Sequence, residues 1–78
     1  MYPPTPYYPT LEALGFSAAD LTGWRVPREA AESFVRGLVV GYSFDEARSR
    51  CRPPITSLTF ALALAQRVVV WRSGGGPR

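Results

Sequence analysis

Apolar residues at Ala31, Phe34, Val35, Leu38 and Val39 recur with the spacing of one helix face, so the stretch from Pro27 to Gly41 predicts an amphipathic helix. Pro27 at the first helical position and Glu29 in the first turn support its start, and Gly41 supports its end. Gly37 costs this helix about 1 kcal/mol relative to alanine, and a glycine at that place predicts the close approach of another backbone. Ser43 opens a second, short helix. Ser43-Phe44-Asp45-Glu46 has the form of a capping box, in which the Ser43 hydroxyl accepts from the Glu46 amide and the Glu46 carboxylate reaches back to the Ser43 amide. Asp45 and Glu46 at its start and Arg48, Arg50 and Arg52 at its end suit the helix dipole, and Pro53-Pro54 stops it.

A third helix, SLTFALALAQR, takes Thr56 as its expected N-cap. Leu58, Phe60, Ala61, Leu62, Leu64 and Ala65 leave only Thr59, Ala63, Gln66 and Arg67 as a small or polar strip, which predicts a helix that is mostly buried. Residues 67–72 read either as a short strand, from their β-branched and aromatic content, or as one or two more helical turns. An edge strand of this composition needs a partner, so Val68 to Trp71 are expected to lie under the N-terminal segment or another subunit. Before the first helix, Thr10 to Gly15 predicts one turn capped by Thr10 and stopped by Gly15, and Ser17 to Leu21 a second; neither is long enough to stand alone.

The first ten residues break the pattern. Four prolines and three tyrosines in residues 2–10 predict an extended, polyproline-like arm, with Tyr2, Tyr7 and Tyr8 as its adhesive side chains. The expected organisation is therefore an arm over 1–10, a single small helical domain over 11–72 and a flexible tail over 73–78. The expected fold is mainly α: a three-helix, helix-turn-helix-like core with the Pro/Tyr arm and either a strand or more helix at its C-terminal end.

Composition narrows what such a domain can do. At 78 residues the chain has a small core, and small domains usually add disulfides, a metal or a partner. A single cysteine excludes an internal disulfide, and without histidine there is no soft-ligand metal cluster, so a protein partner or a homo-oligomer is the remedy left. The sequence has no run of eighteen apolar residues and no basic leader followed by a hydrophobic stretch, so no membrane association is expected, and the expected location is the cytoplasm or the inside of a viral particle. Charge is uneven: residues 1–23 carry two acids and no base, while residues 24–78 hold all nine arginines against four acids and sum to +5.

Helix, glycine, short capped helix, tight connection and third helix follow the order of a helix-turn-helix unit. In that geometry Thr56, Ser57 and Thr59 would meet base edges while Arg48, Arg50 and Arg52 reach phosphates. The alternative is a helical corner with solvated arginines, in which Tyr2, Tyr7, Tyr8, Val69 and Trp71 hold a protein partner. An all-arginine basic set suits phosphate contacts, but a GC-rich genome yields the same bias.

Gly23-Trp24-Arg25-Val26-Pro27, Gly41-Tyr42-Ser43, Pro54-Ile55-Thr56 and Ala61-Leu62 together resemble a family of small bacterial domains of unknown function, typically helix-turn-helix antitoxins encoded beside PIN-like ribonuclease toxins. The resemblance covers about residues 21–66. It implies that Gly23 and Arg25 lie in the turn or strand before the first core helix, that Pro27 sets its first turn, and that Ser43 and Thr56 cap the next two. The chain departs from that pattern in its Pro/Tyr arm, where the family has a Gly-rich, strand-forming N-terminus, and in the basic end of its second helix.

No enzymatic chemistry is expected. Acid–base work would fall to a carboxylate, a tyrosine or the thiol, and each of the six acids has a helix-end or surface explanation. Arg50 and Arg52 beside Cys51 favour its thiolate, whereas the negative end of the helix opposes it. Gly74 to Gly76 has no helix after it to cradle a phosphate. No cofactor and no small-molecule substrate are expected. Two readings remain: a DNA-binding regulator of antitoxin type, acting as a dimer or with a protein partner, and a non-enzymatic accessory, structural or inhibitory protein, of phage origin in one version, that docks on a larger assembly through its arm and C-terminal segment.

Overall fold

A computed structural model of the chain describes residues 8–75. Four helices follow one another: α1 (Ala18–Trp24), α2 (Arg28–Val40), α3 (Phe44–Arg50) and α4 (Leu58–Val70), and a π-helical turn over Trp71–Gly75 continues the last of them. The described residues contain no strand, so the mainly α expectation stands.

The N-terminal segment folds as two caps in sequence. Thr10 accepts from the Ala13 amide at 3.0 Å and Gly15, at φ 94°, ends that turn in a conformation that glycine adopts without strain. Ser17 then makes a full capping box with Asp20: the Asp20 amide donates to the Ser17 hydroxyl at 3.2 Å and the Ser17 amide to the Asp20 carboxylate at 2.8 Å. The box starts a true helix where the sequence pattern gave only a short turn, so the core has four helices rather than three. Gly23 lies within α1, and Arg25 ends that helix in the left-handed region at φ 58°.

α2 is central and packs against both α3 and α4. Ala30, Ala31, Phe34, Val35 and Gly37 form its buried side, and Pro27 is its N-cap, one position before the first helical residue. Gly41, at φ 112°, turns the chain out of α2, while the Tyr42 amide donates to the Gly37 carbonyl at 2.9 Å. A Cβ added at Gly37 would lie 3.2 Å from the Ala47 Cβ and 3.2 Å from the Tyr42 ring, so the predicted close approach is that of α3 onto α2.

Ser43 caps α3 by accepting from the Glu46 amide at 3.2 Å, but the reciprocal half of the expected box is not formed. The Glu46 carboxylate turns instead to Arg50, four residues on, which approaches it to 3.2 Å. The cap of α4 is Ser57 and not Thr56: the Ser57 hydroxyl accepts from the Phe60 amide at 3.2 Å, while the Thr56 side chain is exposed.

The core gathers around Phe34, Phe60, Leu11, Leu64, Val35 and Cys51, all fully buried. Phe16 meets Phe60 edge-on at 5.5 Å, Trp24 leans on the same ring at 5.8 Å, and Phe44 meets Phe34 edge-on at 5.8 Å. One aromatic thus ties the N-terminal segment and α1 to α4, and another ties α3 to α2.

The strand option for residues 67–72 is corrected. Val68 lies one turn after Leu64 and two after Phe60, and all three are buried, so the helical period simply continues. The Trp71 amide donates to the carbonyls of Arg67 and Val68, and the Arg72 guanidinium reaches the Val39 carbonyl at 2.7 Å, fastening the π-turn to the end of α2.

Candidate functional site

The three arginines proposed for phosphates are each engaged within the fold. Arg48 is half-buried; it donates to the Ile55 carbonyl at 3.3 Å and its guanidinium lies 5.8 Å from the centre of the Phe44 ring. Its buried Nε has no hydrogen-bond partner. Arg50 pairs with Glu46 and stacks over the Tyr42 ring at 4.5 Å. Arg52 donates to the carbonyls of Ser49 and Cys51, at 3.1 and 3.0 Å, and so closes the end of α3. Of the hydroxyls, Ser57 is occupied as the α4 cap, and Thr56 and Thr59 are exposed. Arg48 and Thr56 line one open cleft of about 460 Å³ with Asp45, Ser49, Pro54 and Ile55; Arg50, Arg52, Ser57 and Thr59 are not among its walls.

The residues proposed for a protein partner are also divided. Tyr2 and Tyr7 lie outside the described residues. Tyr8 is half-buried and lines a cleft with Glu32, Val35 and Arg36 of α2. Trp71 is half-buried and packed on the core, whereas Val69 is 61 % exposed on α4.

The most distinctive surface joins Leu58, Leu62 and Ala65, which the apolar pattern assigns to a mostly buried helix, to Val69, which is expected at a protein partner. α4 buries Phe60, Ala61, Leu64 and Val68, but Leu58 is 51 % exposed, Leu62 49 % and Val70 64 %. With Val69 and the half-buried Ala65, these side chains give α4 a second apolar face. Leu62, Ala65, Gln66, Val69 and Val70 line a shallow groove of about 410 Å³ with no charged group in its wall. The correction has a simple cause. Apolar residues occur at 60, 61, 64 and 68 and again at 58, 62, 65 and 69, two stripes of helical spacing on one helix. Among the described residues only the first of these stripes is buried by neighbouring elements. The doubled stripe was the available signal in the sequence.

Elsewhere the surface chemistry is plain. Arg28 bridges Glu12 and Glu32, and Glu12 is held below the usual carboxylate range by a backbone hydrogen bond and then by Arg28. Burial pushes the Cys51 thiol up, against the smaller opposing effects of Ser33 and Arg52, and the thiol donates to the Ala47 carbonyl at 3.2 Å. Among the described residues no group of three or more His, Cys, Asp or Glu gathers as a metal site, and no helix is long and apolar enough to cross a membrane.

No protein-family model, curated protein or solved structure matches the chain.

Proposed function

We propose that the chain is a non-enzymatic accessory protein that acts by docking on protein, with the exposed face of α4 as its contact surface. The observation that carries this reading is the uncharged apolar stripe of Leu58, Leu62, Ala65 and Val69 on a helix that already buries a neighbouring face. An exposed apolar patch rimmed by polar residues marks an interaction site in a protein that must stay dispersed. The operator-binding alternative, a helix-turn-helix regulator of antitoxin type, is favoured by the order α2, short α3, tight loop and α4, and by the arginine excess of residues 24–78. Its reading helix would be α4. Apart from Gln66, the outer face of α4 offers leucine and valine where base edges call for Arg, Lys, Asn or Gln, and the arginines of α3 are engaged by Glu46 and by carbonyls of α3 and the loop after it.

Two measurements divide these readings. A benzophenone side chain placed at position 62 is expected to cross-link to protein on illumination in an extract of the source cell, well above the same group at the exposed position 22 of α1. Absence of protein adducts from position 62 overturns the docking reading. Fluorescence anisotropy with a random duplex tests the other: affinity that falls by orders of magnitude between about 50 and 200 mM salt would establish several phosphate contacts and favour the operator reading.

A further inference from the structure

We propose, resting on the docking reading, that the occupant of the α4 face is a second copy of this chain, paired with α4 antiparallel to its own α4. Positions 58, 62, 65 and 69 are separated by four, three and four residues, the alternation that forms the seam between two supercoiled helices. A partner helix is therefore the shape this face accepts. Parallel self-pairing sets Leu62 against Leu62 and Ala65 against Ala65, one layer crowded and the next hollow. Antiparallel pairing about a two-fold axis between residues 63 and 64 sets Leu62 against Ala65 and Leu58 against Val69, and repeats both layers in reverse. Every layer then holds one leucine and one smaller residue, and the groove over Ala65 receives the leucine of the facing copy.

Charge agrees with that occupant. No ionised group lines the groove, so a face identical to itself meets no repulsion. Thr59 and Gln66, polar and exposed, flank the seam on its outer side and face one another in the antiparallel arrangement. The two helix dipoles also run in opposition. A two-fold, self-complementary contact is the commonest form of association between identical chains. Thirteen residues give about 20 Å of paired helix, which belongs to the small-interface class and predicts a dissociation constant of about 10 to 500 µM.

Sedimentation equilibrium of the full chain from about 10 to about 500 µM tests the dimer, since that range brackets the affinity class. The parent is expected to move from 8.6 kDa towards twice that mass as concentration rises. Leu62→Arg is expected to stay at the monomer mass, while Glu29→Arg, on the exposed side of α2, follows the parent. A parent that remains monomeric throughout overturns the second-copy proposal and leaves the docking reading to the cross-linking result. A dimer that survives Leu62→Arg overturns the proposed seam. A second measurement does not depend on that variant: mild oxidation of an equal mixture of Leu62→Cys and Ala65→Cys chains is expected to give mainly the mixed disulfide. Mainly Ala65→Cys homodimer would mean parallel pairing and overturn the antiparallel arrangement.

Discussion

α2 and α4 each have thirteen residues and pack against one another, yet they face solvent in opposite ways. α2 turns Phe34, Val35 and its alanines inward and shows Arg28, Glu29 and Arg36 to water, with Val40 as an exposed apolar residue at its end. Apart from Val40, its sequence is accounted for by its place in the fold. α4 buries a comparable set and then exposes leucine and valine along a second stripe. Local packing explains half of α4, and the other half is the surface proposed above for a second chain.

The sharpest way to break the comparison is to truncate both faces of α4. Phe60→Ala removes the ring on which Phe16 and Trp24 rest and is expected to cost about 3–5 kcal/mol in denaturant unfolding. Leu62→Ala, two positions along, is expected to cost the dilute monomer less than about 1 kcal/mol, because half of that side chain is already in water. Equal losses would mean that both faces belong to one core.

On α2, Gly37→Ala sets a helix-propensity gain of about 1 kcal/mol against the contact of the new methyl with α3. Ala47 presents backbone as well as a methyl group within 3.5 Å, so it cannot swing aside. A net loss of about 1 kcal/mol is expected, since overpacking a tight site costs about 1–3 kcal/mol. A gain in midpoint would show that α3 is free to move off α2. At the start of α4, Ser57→Ala is expected to cost about 1 kcal/mol and Thr56→Ala a few tenths, measured in the same way. The reverse order would return the cap to Thr56.

The smallest expected effect is that of pH on the core side. Cys51 is fully buried and its thiol pKa is raised in the folded chain by burial. Its contribution is fully present below the unfolded thiol value of about 8.5 and is lost as pH rises from there through the raised folded value, because the unfolded chain gives up its proton first. Unfolding midpoints of the parent should fall across that window, and those of Cys51→Ala should fall less. The same slope in both would remove the thiol from the pH dependence.

Much of the scaffold was legible in the sequence because short-range chemistry set it. The stripe at Ala31, Phe34 and Val35, the stop at Gly41, the Ser43 cap and the close approach at Gly37 are all decided within a few residues. α1 was legible too, in Ser17 and Asp20 three apart, but its short apolar content hid it. The loop before α4 offered two hydroxyls in succession, Thr56 and Ser57, and only the direction of the chain after Pro54 selects the second. The C-terminal end was ambiguous because three consecutive valines suit strand and helix alike; Val68 beneath the core decides it. The candidate surface was the least legible part. Periodicity identifies α4 as apolar on two sides, but which side the fold keeps depends on where α2 lies against it, a tertiary fact. The arginines of α3 were visible as charges, yet their engagement with Glu46, Tyr42 and the Ile55, Ser49 and Cys51 carbonyls depends on the bend after that helix.

The central claim is that the outer face of α4 meets a second copy of the chain while the outer face of α2 meets water. Backbone amide chemical shifts recorded as the purified protein is diluted test it residue by residue. Concentration-dependent shifts confined to Leu58, Leu62, Ala65, Gln66 and Val69 are the predicted result. Shifts that gather instead at Glu29, Glu32 and Arg36 of α2, or a spectrum that does not change with concentration, would contradict it.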